Sequence, residues 1–178
     1  MRVFAATLTA AAMLGSAAFA QSDWETLYER GDWRLDVNMY DDGALSCESY
    51  TVGSSEIVFS VFSWQGGNYS FEFYKDEWKF PSEVTDEDFV IQIDRRPPWD
   101  ISGSKQDQTI WVEVANTDRD ALNFLTEVAR GQNVYLKNTK GAIIGRFSLR
   151  GSSATLAQHR DCAASIYSET AGDSDPFN

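Results

Sequence analysis

Residues 143–162 read IIGRFSLRGSSATLAQHRDC, and this run decides how the rest of the chain is read. Its first part, through Phe147 and Leu149, fits a strand. Gly151 then supplies a corner and Ser152 a hydroxyl suited to capping a helix N-terminus. That last helix carries Cys162, the second of only two cysteines. Cys47 lies toward the other end, so a bond between the two pins the final helix onto the first strands. In the chain-entropy description a loop of more than a hundred residues closed in this way is worth about 4–5 kcal/mol.

Working outward to the N-terminus, Arg2 precedes an alanine-rich apolar stretch that ends at Ala18-Phe19-Ala20, before the polar Gln21-Ser22-Asp23. This is the pattern of a secretory signal peptide over residues 1–20, too short for a membrane span. Export also suits a disulfide, because oxidising compartments preserve one. Removing 20 of the 178 residues leaves 158, the size of one domain. Only Arg2 is lost from the 15 basic residues, which leaves 14 against 27 acidic ones and a net charge of −13. Nucleic acid and anionic lipid are disfavoured as partners, and a cationic partner is the natural complement. A well-solvated acidic surface accounts for the same charge.

Along the chain, Trp33, Leu35, Val37 and Met39 alternate with polar residues, as a half-buried strand requires. Asp41-Asp42-Gly43 turns the chain, and 44–51 returns with Cys47. The segment 56–64 is apolar on both alternations, which predicts a central strand covered on both faces. Gln65-Gly66-Gly67-Asn68 is a hairpin loop leading to a strand over 69–74. Residues 75–88 read as a loop, 89–94 as a strand, and the prolines of Arg95-Arg96-Pro97-Pro98-Trp99 as its interruption. A strand over 109–115 precedes a helix capped by Asp118 and stopped at Gly131, with Ala121, Leu122, Leu125, Val128 and Ala129 on one stripe. Strands at 133–138 and 142–150 form a hairpin before the last helix. Residues 168–178 read as a disordered acidic tail, so the folded domain spans 21–167. The expected class is mainly β, a β-sandwich or antiparallel sheet, with two short helices in a single domain.

The residues Phe147-Ser148-Leu149-Arg150-Gly151-Ser152, with Ala154, Leu156 and Cys162 after them and Val128 to Gly131 and Asn133 to Leu136 before, carry a resemblance. They resemble small exported proteobacterial β-proteins of the invasion-associated locus B type and their uncharacterised relatives. The likeness covers the last third, with an echo in Gly31-Asp32-Trp33 through Cys47. It implies a non-enzymatic exported protein, and the further cysteines of invasion-associated members are missing here.

Candidate chemistry is weighed against packing. His159, the only histidine, has Ser152, Ser153 and Asp161 near it in sequence. A hydrolytic triad would need these groups brought together, whereas a helix cap and a packed histidine use them structurally. Asp41, Asp42, Glu72, Asp94 and Asp100 are candidates for a carboxylate pair of the glycosidase kind. Asp41-Asp42-Gly43 and Asp86-Glu87-Asp88 lack the ladder of ligands that calcium needs. Of the six tryptophans, Trp99 stands out, because Arg95, Arg96, Trp99 and Asp100 place cation, ring and anion on one proline-set loop. That loop is the candidate contact site. The overall expectation is a monomeric periplasmic or secreted protein that binds another protein or an envelope component, without cofactor, metal or catalytic residues. The alternatives are a carboxylate-dependent envelope hydrolase and a structural or stress-protective protein.

Overall fold

The computed structural model describes residues 21–171, with side chains from Asp23 to Tyr167; residues 1–20, where a leader is expected, and the residues from 172 onward lie outside the described residues. The strands are β1 (Gln21–Arg30), β2 (Trp33–Tyr40), β3 (Leu45–Val52), β4 (Val58–Trp64), β5 (Asn68–Tyr74), β6 (Thr85–Ile93), β7 (Trp99–Gln106), β8 (Thr109–Ala115), β9 (Asn133–Asn138) and β10 (Ile143–Ser148). Two helices complete the fold, α1 (Arg119–Arg130) between β8 and β9 and α2 (Ser152–Ala171) at the end. All ten strands pair in one antiparallel sheet, in the order β1-β2-β3-β4-β5-β8-β7-β6-β9-β10. The fold is therefore mainly β with two helices, as expected, and of the two expected arrangements it is the single sheet.

That sheet bends over on itself. Phe147 of β10 sits 5.7 Å from Phe59 and 5.5 Å from Phe73, although β4 and β5 are several strands away in the sheet order. Trp33, Ile57, Val61, Ile91, Leu136 and Val134 fill the space between, so the inner faces of β2, β4, β5, β6, β8, β9 and β10 enclose the main core. Both helices lie on this inner side. Asp118 caps α1 as expected, its carboxylate accepting from the Asp120 and Ala121 N–H groups. Phe124 of α1 packs edge-on against Phe71. The stop at Gly131 has a different cause from the one expected. Its φ of −84° suits any residue, but a Cβ there would come within 2.7 Å of Ile93 and Leu149.

The corner at Gly151 closes the curl. Gly151 has φ +105°, and a Cβ there would fall 1.8 Å from the Arg30 carbonyl oxygen. Gly31, at φ +64°, lies in turn against the Arg150 carbonyl. Asp32 N–H donates to that same carbonyl at 2.8 Å, and the side chains of Arg150 and Asp32 form an ion pair. Two glycines thus let the β1–β2 turn and the β10–α2 corner meet backbone to backbone. Ser152 does not cap α2. The Gly151 carbonyl accepts the first helical bond, from Thr155, while the Ser152 hydroxyl donates to the Val128 carbonyl at 2.9 Å and ties α2 to α1.

Cys47 and Cys162 are joined, with Cα atoms 6.2 Å apart, and they pack with Leu35 and Ile166 in a second apolar cluster. Three further differences from expectation have local causes. β1 is an edge strand with mostly exposed side chains and two register shifts, so it carries no period-two apolar signal. β6 begins at Thr85, inside the stretch expected to be a loop, because its first residues, Thr85 to Asp88, are all polar yet pair with β7. The helix α2 continues through 168–171 into the segment expected as tail. Among the described residues no helix is long and apolar enough to cross a membrane.

Candidate functional site

β2, β3, β4 and β5 present their second face outward, and alternation decides what appears there. In β3, Cys47 and Ser49 point to the core, whereas Ser46, Glu48 and Tyr50 point out. Register then aligns Asp36 with Glu48 and Phe62, and Arg34 with Tyr50, Ser60 and Glu72. These side chains line an open depression of about 460 Å³, walled also by Trp24, Asn38, Val58, Tyr74 and Thr109. The expectation that β4 is covered on both faces holds for its inner side only. Val58 and Phe62 are half-buried walls of the depression.

Three carboxylates sit in it with few compensating charges. Glu48 accepts from the Ser60 hydroxyl at 2.7 Å and from Asn38 Nδ2 at 3.2 Å. Burial nonetheless raises its pKa above the ordinary carboxylate value, against those hydrogen bonds. Glu72 accepts from the Ser70 hydroxyl at 2.7 Å, and that hydroxyl in turn accepts from Trp64 Nε1 at 3.2 Å. Burial first, and the neighbouring Glu48 and Glu113 next, push Glu72 up to about 7. Asp36 is only 6 % exposed, and its Oδ1 is buried with no hydrogen-bond partner. Arg34, the one cation in the walls, is directed to Tyr50 at 3.3 Å and to Glu29.

Of the five carboxylates singled out from sequence, only Glu72 belongs to this group. Asp42 accepts from the Ala44 N–H within its turn. Asp94, at φ +53°, accepts from the N–H groups of Gln132 and Asn133. Asp41 and Asp100 are exposed. The Asp86-Glu87-Asp88 run lies on β6, where Glu87 pairs with Lys105 and Asp88 accepts from Ser102. Among the described residues no group of His, Cys, Asp and Glu is set to hold a metal ion. Asp36 and Glu48 carried no motif in the sequence; the detectable signal was a single carboxylate at an outward position on each of two neighbouring alternating strands.

His159 is 2 % exposed and lies on the opposite, inner face. Its Nδ1 is 2.8 Å from the Ser49 hydroxyl and its Nε2 2.7 Å from the Ser63 hydroxyl. A neutral imidazole donates with one nitrogen and accepts with the other, and each serine fits either role. Burial lowers its pKa to about 4. Ser153 is exposed and Ser152 is bonded to Val128, so the four residues grouped in sequence form no triad.

In the loop singled out earlier, Arg95 and Asp100 are exposed, but Trp99 is half-buried as the first residue of β7. Its ring meets Phe124 edge-on at 5.9 Å, and its Nε1 donates to Glu127 at 3.2 Å. Arg96 reaches the Glu127 carbonyl at 3.2 Å. The loop is thus docked on α1 through Trp99 and Arg96.

Compared with protein-family models, with curated proteins and with solved structures, the chain has no match.

Proposed function

We propose that the protein is an exported, non-catalytic binding protein whose contact surface is the outward depression of β2–β5. One observation carries the reading: Asp36 Oδ1 is buried without a partner in the wall of an open depression that also holds two carboxylates raised by burial. An unmet buried acceptor costs about 1–3 kcal/mol, a cost that a ligand bringing a donor would remove. The disulfide supports an extracytoplasmic setting, and the resemblance around Gly151 implies the same kind of role. The test is capture of envelope components on the wild-type protein and on Glu48→Gln. A stoichiometric partner that the variant loses sustains the reading; a partner held equally by both removes the depression from it.

A second reading has its own support. Glu72, held near 7, stands beside Glu48 as an acid and base of a hydrolase would. Cleavage of a wall glycan by the wild type, abolished in Glu72→Gln, would establish that reading instead.

A further inference from the structure

We infer that the depression on the outer face receives the ammonium or guanidinium end of a small aliphatic cation. This rests on the binding reading above and adds the class of ligand. The charge inventory comes first. Asp36, Glu48 and Glu72 line the site, Glu113 stands beside Glu72, and Arg34 is engaged by Glu29 and Tyr50. A neutral ligand leaves that excess in place, and an anion worsens it. A cation cancels it and at the same time brings N–H donors to Asp36 Oδ1, the buried acceptor without a partner.

The walls suit the same occupant. Trp24, Tyr50, Phe62 and Tyr74 line the depression and supply aromatic and apolar surface for the methylenes. The volume, about 460 Å³, is that of a small-molecule site. A net charge of −12 over the whole chain adds long-range attraction for cations.

Binding is coupled to a proton. Glu72 is faced by Glu48 from β3, by Tyr40 from β2 and by Glu113 from β8, and Arg34, the cation of the depression, is engaged by Glu29 and Tyr50. In the free protein it is half-protonated near pH 7. An arriving cation favours the ionised form and expels the proton, so affinity should rise about tenfold from pH 6 to pH 8.

Calorimetric titration of the purified protein with 1,4-diaminobutane and with agmatine, in two buffers of different ionisation heat, reads all of this, with maltose as a neutral contrast. The expected result is saturable one-site binding of at least one amine, proton release, and the tenfold gain at pH 8. Asp36→Asn should weaken it at least tenfold, and Glu72→Gln should weaken it and flatten the pH profile. Should Asp36→Asn fail to fold, Trp24→Ala, at a site 56 % exposed, should still weaken binding several-fold. Maltose binding without amine binding overturns the cation while leaving the depression as a binding site. Amine binding that survives every variant and vanishes in salt is attraction to an acidic surface, and it overturns the cation site too. If no probe binds, the cation is overturned. If Glu72→Gln is then also no more stable than the wild type at pH 8, the binding reading falls with it.

Discussion

Glu48 and Ser49 are neighbours in β3, yet they end in opposite environments. Ser49 faces inward to His159, whose two nitrogens are both matched by serines, beside the Cys47–Cys162 bond. Glu48 faces outward into a depression where one oxygen of the neighbouring Asp36 carboxylate lacks a partner and the Glu72 pKa is raised to about 7. Both regions bury polar atoms on the same strands. On the inner side His159 is satisfied within the chain, although the buried Thr51 and Thr155 hydroxyls lack partners; on the outer side the unmet atom is a carboxylate oxygen beside two further carboxylates. Charge separates the two better than the hydrogen-bond inventory does: the inner unmet atoms are neutral hydroxyls, and the outer one belongs to a carboxylate.

The largest effect should come from the inner side. Reduction of Cys47–Cys162 should cost about 4 kcal/mol, seen as a fall of roughly 10 °C in a thermal melt. A protein that melts unchanged with dithiothreitol would show that the inner region does not depend on its covalent tie. His159→Ala should cost about 3 kcal/mol, since it leaves a void and two serines unpartnered, while binding on the outer face stays within a few-fold. The same residue gives the parent an acid limit. Its pKa falls from 6.5 to about 4 on folding. Above 6.5 neither state is protonated; below it the unfolded chain takes up a proton that the folded one refuses. Stability is therefore lost as pH drops from 6.5 toward 4, by up to about 3 kcal/mol, and His159→Ala should lack that component in denaturant titrations.

The outer side should behave with the opposite sign. Glu72 rises from 4.5 to about 7 on folding, so the folded state holds its proton more tightly. Stability falls as pH climbs from 4.5 to 7, and the full cost is present above. Glu72→Gln should thus stabilise the free protein by about 2–3 kcal/mol at pH 8 and by nothing at pH 4, measured by urea unfolding at both. A loss of stability at pH 8 would erase the distinction between the two regions. Smallest is Trp99→Ala, expected to cost about 2 kcal/mol in a melt, because the ring packs on Phe124 and bonds Glu127. If stability hardly changes and partner binding drops, the contact surface is the 95–100 loop and not the depression.

What sequence could reveal follows the same division. Trp33 and Leu35, Ala121 and Val128 on α1 and the single cysteine pair announce an inner face, because a core imposes a period on the chain, although Leu122 of the expected stripe is exposed and Phe124, outside it, is buried. β1 lacked that period, being an exposed edge with shifted register. The outer depression was illegible for a related cause. Asp36, Glu48 and Glu72 each occupy an ordinary outward position, and only strand register, set by turns and the core, lines them up. At Trp99 the prolines fix a loop without saying which way its ring turns, and the docking on Phe124 and Glu127 was not legible.

The meeting of Gly31 with Gly151 also has a meaning in time. The first turn of the folded chain rests on a corner contributed by its last sixth, so that turn cannot be finished until the distant corner arrives. Contacts so remote in sequence form late and slow a β-rich chain down. A bulky side chain at either glycine would therefore delay the very step that brings α2, and with it Cys162, to β3. A Gly151→Val chain should oxidise its cysteines several-fold more slowly than the parent when thiols are trapped during refolding, which makes the seam a checkpoint as well as a joint.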